Sequence, residues 1–306
     1  MSHATISISE LADLLRDPAC VILDTRPSAA YVGWQLNDEA RGGHIPGSVN
    51  FPLAWIIKYS CEQLNPILQS QGATPDKSIV IYGYRDDRNS LMIDWLRILG
   101  FANIIILESG LEEWAADFSL PMEYLPNYEK LVHAQWVDDC FFSRNNLHSQ
   151  SEKAMLFEVI SDGIENYKAG HIPGALPMDL SLFENAPDWN LCRDEDLLEA
   201  LLSLGIASDT LVVLYGKDPM AAARAAYILL YAGVEDVRIL DGGFDAWKSF
   251  GGSIEVEVQQ PTPIKSFGYE VPVRPNLLIG IDQTKSIIKE DNGVLVSVRS
   301  WAEFTG

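Results

Sequence analysis

The sequence predicts an α/β fold in which one unit, a short parallel sheet with helices on both faces, occurs in tandem. Three observations predict it. Short, wholly apolar stretches alternate with amphipathic ones, the apolar stretches are rich in β-branched residues, and the whole pattern recurs along the 306 residues. Strands that are apolar throughout are typical of parallel sheets, because both faces of such a sheet are buried.

Four landmarks define the repeat and recur in the same order. They are an apolar strand followed by polar residues, a Gly-His-Ile-Pro-Gly motif, an apolar strand that ends in Tyr-Gly, and a short strand followed by a tryptophan. In the two copies the first three lie at 21–26 and 155–160, 43–47 and 170–174, and 79–83 and 211–216. The fourth lies at 106–110 with Trp114 and at 239–243 with Trp247. The first landmark occurs again at residues 294–299, after a helix predicted to begin near residue 281. The chain is therefore predicted to hold two complete copies and the beginning of a third.

Helix signals between the strands support this order. Ser7 and Glu10 form a capping box before an amphipathic stretch, and Gly100 and Gly233 end the helices that follow the Tyr-Gly strands. Proline-bearing stretches between the copies indicate linkers. The predicted domains are residues 1–122, 123–256 and an incomplete 277–306, with a linker at 257–276. One helix and one strand cannot close a core, so the natural protein is expected to continue, or the gene to be truncated.

The composition argues against two classes of partner. The formal net charge is −21 and the pI is near 4.5, so the surface would repel nucleic acid. The sequence has no apolar run of about 18 residues, the length that a membrane span would need. Residues 1–4 show no sign of a signal peptide. A reducing, cytoplasmic compartment is favoured, and a periplasmic one stays open if a signal peptide has been removed.

The four cysteines, Cys20, Cys61, Cys140 and Cys192, indicate neither metal nor disulfide chemistry. None of them forms a Cys-x-x-Cys pair or a Cys/His spacing typical of zinc. Four cysteines in a chain of this length are also too few for a disulfide framework. No metal site is therefore predicted.

Three motifs resemble those of the rhodanese domain, the sulfurtransferase module. They are the Leu-Asp-x-Arg strand with Asp24 and Arg26, the Gly-His-Ile-Pro-Gly motifs with His44 and His171, and the Leu-Asp-Gly-Gly-Phe-x-x-Trp stretch at 240–247. The resemblance covers nearly the whole chain. The beginning of a third copy resembles the three-domain thiosulfate sulfurtransferase-like proteins, with two tandem rhodanese domains before it.

The resemblance implies a cysteine at the end of the central strand, followed by a loop that leads into a helix. The thiolate takes a sulfane sulfur from a small donor such as thiosulfate or 3-mercaptopyruvate, holds it as a persulfide, and passes it to a thiophilic acceptor such as cyanide. Such a thiolate needs a lowered pKa, which loop N–H groups and a helix N-terminus favour. No cofactor is implied.

Both complete copies depart from this pattern at the cysteine position, where glycine follows the strand. The candidate residues of the two loops are Gly83, Tyr84, Arg85, Asp86, Asp87 and Arg88, and Gly216, Lys217, Asp218, Pro219, Met220 and Ala221. The two aspartates of the first loop would repel an anionic donor. In the second loop, Asp218 followed by proline is predicted to cap the next helix. Both loops are therefore predicted to be disused, and no catalytic residue is predicted in this chain.

No other cysteine is predicted to replace the missing nucleophile. Cys192 precedes Arg193, as at the start of an active loop, but it follows no apolar strand and is predicted to lie at the surface. Cys20 lies against a strand, where a small buried apolar role is expected. Cys61 and Cys140 lie in segments without a loop signature.

Histidines and tryptophans of the motifs are predicted to be structural. His44 and His171 each precede Ile-Pro-Gly, with no cluster of metal ligands beside them, and the family's histidine shapes this turn. Trp114 and Trp247 are predicted to anchor the core or a domain interface.

The strand motif predicts an ion pair in one copy and its loss in another. Asp24 and Arg26 resemble an internal structural ion pair of the family. The second copy has Glu158 and Ile160 at these positions, so the pair is predicted to be absent there. The third copy keeps the arginine, as Arg299.

Two hypotheses for function remain open. In the first, the parent protein is a sulfurtransferase whose cysteine lies in the absent part of the third copy, which binds the sulfur donor and acceptor. The two complete copies are then scaffold or docking surface, and residues 1–306 are inactive alone. In the alternative, every copy is inactive and the protein is a binding or regulatory module with a protein partner. A cysteine phosphatase is disfavoured, because it needs the same cysteine at the strand end.

Overall fold

The computed structural model describes residues 4–85, 89–143, 153–185, 187 and 189–305. The chain divides into two compact units, Met1–His133 and Ala134–Gly306. The domain boundaries inferred from the sequence, at residues 122–123 and 256–257, stay predictions.

The first sheet has five parallel strands. It and its helices comprise β1 (Ala4–Ile6), α1 (Ile8–Leu14), β2 (Cys20–Asp24), α2 (Ser28–Val32), β3 (Val49–Asn50), α3 (Leu53–Lys58), α4 (Cys61–Ser70), β4 (Ser78–Tyr82), α5 (Asn89–Ile98), β5 (Ile104–Leu107) and α6 (Gly110–Ala116). The strand order is β1-β5-β4-β2-β3, and every neighbouring pair is parallel. Strand β4, which ends in Tyr82, therefore lies at the centre.

The second sheet repeats this order. It and its helices comprise β6 (Leu131–Val132), α7 (Ala134–Phe141), β7 (Ala154–Ile160), α8 (Glu165–Ala169), β8 (Leu176–Asp179), β9 (Glu184–Asn185), β10 (Asn190–Leu191), α9 (Asp194–Ser203), β11 (Leu211–Gly216), α10 (Pro219–Ala232), β12 (Asp236–Leu240) and α11 (Gly243–Phe250). The strand order is β6-β12-β11-β7-β8, so β11 takes the place of β4. Strands β9 and β10 form a separate antiparallel pair.

Alternate side chains of β4 enter two different apolar clusters. Ile79 and Ile81 pack with residues of α4 and α5, whereas Val80 and Tyr82 pack with residues of α1 and α6. All four side chains are fully buried. Burial of an aliphatic side chain of this size contributes roughly 1.5–3 kcal/mol. Helices therefore cover both faces of the sheet, which confirms the predicted α/β fold class.

Helix α1 begins and helix α10 ends at the residues that the sequence predicted. Ser7 caps α1, with its hydroxyl accepting the Glu10 N–H and the Glu10 carboxylate accepting the Ser7 N–H. Gly233 ends α10 in the left-handed region, at φ 119°. That conformation costs little only for glycine.

The segment after the second sheet forms two short helices, α12 (Ile281–Ile287) and α13 (Trp301–Thr305). The helix predicted near residue 281 is therefore present, but the strand predicted at 294–299 was wrong, because those residues form no strand. Val294, Val296 and Val298 are largely exposed. A strand needs a neighbour for its backbone N–H and C=O groups, and the described residues pair none with this segment.

Candidate functional site

The two loops named by the sequence follow the central strands β4 and β11. A Cβ atom built on Gly83 would lie 2.5 Å from Thr25 Oγ1, and one built on Gly216 would lie 2.9 Å from the carbonyl oxygen of Val159. Both distances are shorter than ordinary carbon–oxygen contacts. A Cβ atom at Gly216 would therefore press on the backbone of the adjacent strand, whereas one at Gly83 would require the Thr25 side chain to move.

The loop of the first unit is occupied by a carboxylate from its own chain. Glu112, at the beginning of α6, accepts the Arg85 N–H through Oε1 at 3.1 Å. Tyr84 donates its hydroxyl hydrogen to Glu39. Burial, followed by the contact with Glu39, raises the pKa of Tyr84. An incoming anion would compete with Glu112 for the Arg85 N–H. Asp86, Asp87 and Arg88 lie outside the described residues.

Behind this loop lies a buried ion pair. Arg26 Nη2 lies 2.7 Å from Asp24 Oδ2 and donates to the Gly43 carbonyl at 2.6 Å. Arg26 Nη1 lies 3.5 Å from Glu39 Oε1. The guanidinium is only 2% exposed. Burial opposes its charge, but the Asp24 carboxylate more than offsets this and raises the pKa of Arg26. The first unit therefore has the ion pair that the sequence indicated.

In the second unit the corresponding carboxyl group has no cation. Ile160 stands where the arginine would be, and Glu158 is 6% exposed. Among the described residues, Glu158 Oε2 has no hydrogen-bond partner. Burial raises the pKa of Glu158, and a hydrogen bond from Tyr215 and the nearby His171 partly oppose the rise.

The loop of the second unit is closed by a helix cap. Asp218 Oδ1 accepts the Met220 N–H at 2.9 Å, and Pro219 is the first residue of α10. Lys217 and Met220 are exposed, whereas Ala221 is buried. The predicted cap is present, and it uses an N–H group at the helix N-terminus that a donor anion would need.

The two motif histidines have the same surroundings. His44 stacks on Tyr31 at a ring distance of 3.7 Å, with Nδ1 2.8 Å from the Tyr31 carbonyl oxygen. His171 stacks on Tyr167 at 3.8 Å, also with Nδ1 2.8 Å from its carbonyl oxygen. Each ring is held by a tyrosine of the preceding helix, which fits a structural role better than a catalytic one.

The motif tryptophans lie in the cores of their units. Trp114 and Trp247 are almost fully buried. Their Nε1–H groups donate to the carbonyl oxygens of Pro121 and Ser253 at 2.9 and 2.8 Å. Arg299 lies in an exposed segment, where its N–H donates to Ser297 Oγ at 3.4 Å.

Three of the four cysteines lack the environment of an activated thiol. Burial raises the pKa of Cys20, Cys140 and Cys192, and Asp196 adds to the rise at Cys192. A sulfur nucleophile needs the opposite shift. All four cysteines are free, and Cys61 lies half-buried in the first turn of α4.

Two other functional features are absent from the described part of the chain. Its residues contain no cluster of three or more histidine, cysteine or acidic side chains that could hold a metal ion. None of its helices combines the length and apolarity needed to cross a bilayer.

The contacts of Glu39 and Glu112 with the loop of the first unit were not predicted from the sequence. Glu39 lies between Tyr31 and His44, a stretch that is longer than its counterpart between Tyr167 and His171, so no repeat marks it. Glu112 has a counterpart at the same place after the Gly of the fourth landmark, Asp245 in the second copy. That shared acidic position was the available signal.

A family model described as Rhodanese-like domain matches residues 7–117 and 146–250. Thiosulfate sulfurtransferase YnjE of Escherichia coli K12 is 36% identical over 287 residues, which cover 93% of this chain and 64% of that protein. Sulfur carrier protein TtuD of Thermus thermophilus is 35% identical over 184 residues, covering 58% of this chain and 60% of that protein. The chain thus spans less than two thirds of the length of either relative.

Solved structures give a similar result over the whole chain. Wild-type EanB superposes with a TM-score of 0.91 at 32% identity, covering 99% of this chain and 73% of that one. The anaerobic ergothioneine biosynthesis enzyme of Chlorobium limicola, in complex with trimethyl histidine, gives a TM-score of 0.88 at 31% identity, covering 95% and 71%. EanB has also been solved as a cysteine persulfide with ergothioneine, with a TM-score of 0.90 at 32% identity and coverage of 98% and 74%.

Proposed function

Since the chain belongs to the rhodanese-like domain family, we propose that it is the non-catalytic part of a sulfurtransferase whose persulfide cysteine lies outside these 306 residues. The observation that carries the proposal is the end of each central strand. Gly83 and Gly216 stand where the family's cysteine is expected, and a Cβ atom at either would press on the neighbouring strand end. The two units then serve as scaffold or docking surface.

The relatives support this assignment. YnjE and TtuD are each longer than the part that this chain matches. The persulfide cysteine of EanB has a residue number in that protein beyond the length of this chain. The exposed apolar residues at 294–298 support a third copy as well, since such side chains are usually buried in a core.

The proposed reaction is transfer of one sulfur atom. The cysteine thiolate attacks the outer sulfur of a donor such as thiosulfate, the donor S–S bond breaks, and sulfite leaves with the electron pair. An acceptor such as cyanide then attacks the outer sulfur of the persulfide and releases the thiolate. Both steps need a thiolate near N–H donors. In the described part of the two loops, Glu112 accepts the Arg85 N–H and Asp218 accepts the Met220 N–H.

The direct test measures sulfur transfer by the 306-residue chain and by the chain extended along its natural reading frame. Thiosulfate and cyanide are supplied, thiocyanate is measured, and intact mass reports a bound sulfur. We expect neither thiocyanate nor bound sulfur with the 306-residue chain, and both with the extended chain. Replacing the cysteine after the third central strand by serine should abolish both signals in the extended chain. Persulfide on Cys20, Cys61, Cys140 or Cys192, with turnover lost in the matching serine variant, would overturn the proposal.

Gly216→Cys and Gly83→Cys variants test whether the loops lack more than sulfur. We expect no persulfide in either single variant, because the new side chain meets Val159 or Thr25 and a carboxylate occupies the loop. Robust transfer by either variant would show that the loops are otherwise intact. An extended chain without a cysteine after the third central strand would favour the inactive binding module instead.

A further inference from the structure

The feature that the sulfur chemistry leaves unexplained is an open cleft around Glu158 in the second unit. Two adjoining cavities of about 350 and 320 Å³ share Glu158, Asn166 and Lys217 in their walls. These volumes lie at the lower end of those of small-molecule sites. Glu158 is more than nine-tenths buried, and no residue in the described part of the chain forms a hydrogen bond with its Oε2 atom. A buried, unpaired carboxyl oxygen costs roughly 1–3 kcal/mol or more, so its persistence calls for a partner.

In the first unit, the carboxyl group equivalent to Glu158 is paired with an arginine. Asp24 pairs with Tyr82 in the sheet register as Glu158 pairs with Tyr215, so the two carboxyl groups are equivalent. In the first unit, the Arg26 guanidinium donates to Asp24 and to the carbonyl of Gly43.

In the second unit, the residue equivalent to Arg26 is Ile160, which lines the cleft. Ile160 replaces the arginine, and it lines one of the two cavities together with Glu158. Gly170, the counterpart of the Gly43 carbonyl acceptor, lines the other cavity. The cleft therefore touches both positions that hold the internal guanidinium in the first unit.

A second difference leaves this cleft accessible. In the first unit, the longer stretch between Tyr31 and His44 carries Glu39, which approaches Arg26 and hydrogen bonds to Tyr84. The second unit has no such stretch between Tyr167 and His171. The carboxyl position of the first unit is therefore paired with Arg26, whereas Glu158 lines the cleft.

Charge around the cleft selects the sign of its ligand. Four acidic side chains line the two cavities against two lysines; the six are Glu158, Asp162, Asp218, Asp245, Lys217 and Lys248. Lys248 is already paired with Asp245 at 2.7 Å. The surroundings therefore favour a cation and disfavour an anion such as thiosulfate.

We propose that this cleft binds a small organic cation with N–H donors, a guanidinium or primary ammonium compound, with Glu158 as its counter-ion. The ligand's charge takes the place of the arginine that the second unit lacks. Its N–H groups satisfy Glu158 Oε2 in a charge-assisted hydrogen bond. The cleft includes Gly216, the cysteine position of this unit, but the proposed binding involves no sulfur transfer.

The test titrates the 306-residue chain with methylguanidinium and with ethylammonium, and follows amide chemical shifts by NMR. Tetramethylammonium, which has the charge but no N–H donor, and thiosulfate are the control ligands. We expect saturable binding of the two N–H cations, with shifts centred on Glu158 and Tyr215. Tetramethylammonium and thiosulfate are expected to cause no saturable shift there.

Three variants assign the binding to the cleft. Ile160→Arg supplies the internal guanidinium and is expected to abolish binding while raising the melting temperature. Glu158→Gln is expected to weaken binding at least ten-fold. Glu165→Gln, which changes an exposed carboxylate paired only with Lys168, is the matched control and is expected to leave binding unchanged.

Several results would overturn the proposal. These are absence of saturable binding to the wild-type chain, equal binding of tetramethylammonium, and unchanged binding in the Ile160→Arg variant. Equal weakening by Glu165→Gln and Glu158→Gln would reduce the effect to overall charge and would also refute a site. If Glu158→Gln fails to fold, the Ile160→Arg variant decides alone. Loss of sulfur transfer in the extended chain would leave these outcomes unaffected, so the two proposals fail separately.

Discussion

Replacement of Arg26 by methionine tests the contrast between the two units most directly. Methionine keeps an unbranched side chain of similar length, so the change removes mainly the charge and its hydrogen bonds. The guanidinium lies between Asp24, which is fully buried, and Glu39, which is 4% exposed. Without it, two carboxylates lie in the interior without a cation.

The expected size of the effect follows from these contacts. The variant loses hydrogen bonds of 3.0 and 2.7 Å to Asp24 and of 2.6 Å to the Gly43 carbonyl. Removing one partner of a buried ion pair costs about 3–5 kcal/mol, because the other charge stays buried. The matched change in the second unit, Ile160→Met, replaces one apolar side chain by another of similar volume and should cost less than about 1.5 kcal/mol.

Hydrogen exchange read by mass spectrometry measures this effect within each unit. The chain has two compact units, so one melting temperature does not define one unfolding free energy. A loss of about 3 kcal/mol should speed exchange of the most protected amides in β2 and β4 by about two orders of magnitude. Amides of β7 and β11 should change little in this variant.

The double variant Asp24→Asn/Arg26→Met separates two costs: the loss of the ion pair, and the burial of the Asp24 carboxylate without a cation. It should recover part of the stability, because it removes one of the two buried carboxylates. Equal losses in Arg26→Met and Ile160→Met, or a loss below about 1 kcal/mol in Arg26→Met, would refute the reasoning.

Three further changes test other contacts of the two loops. Burial raises the pKa of Glu158 above 4.5, so the folded state favours the neutral carboxyl group. Ionisation of Glu158 therefore lowers the stability of the folded state as the pH rises through the folded-state pKa. Stability of the wild type relative to Glu158→Gln, from urea unfolding, should therefore decline as the pH rises above about 4.5; a flat difference would contradict this. Asp218→Ala removes the cap of α10 and should cost about 0.5–2 kcal/mol, read as faster exchange at the Met220 amide, with no change in the first unit. Glu112→Ala should expose the Arg85 N–H and speed its exchange, and unchanged protection would show that the hydrogen bond to Glu112 does not protect this amide.

The repeat and the fold class could be predicted because they rest on local and periodic signals. Every residue of β11 is buried, and the same apolar run is visible in the sequence. The capping box at Ser7 and the glycine at the end of α10 act within one helical turn, so sequence alone reveals them. The strand at 294–299 failed for the opposite reason, since a strand depends on a neighbour that its own residues do not specify.

The contacts inside the loops depend on tertiary structure and could not be predicted. Glu39 reaches Arg26 from a stretch that only the first copy has, and Glu112 reaches the Arg85 N–H from a different element. Neither contact follows from spacing along the chain. The orphaned oxygen of Glu158 was partly predictable, because loss of the arginine at Ile160 was visible in the sequence, but its burial was not.

The surroundings of the loop after the central strand differ between the two copies. In the first, Glu39 lies beside the internal arginine and Glu112 accepts the Arg85 N–H of the loop. In the second, Ile160 stands in place of the arginine, Glu158 Oε2 has no hydrogen-bond partner among the described residues, and Asp218 caps α10. A copy kept purely as scaffold gains stability by pairing this carboxyl group, as the first copy does through Arg26, because a buried unpaired carboxyl oxygen is costly. The open cleft of the second copy therefore favours a binding role for that copy over a purely structural one.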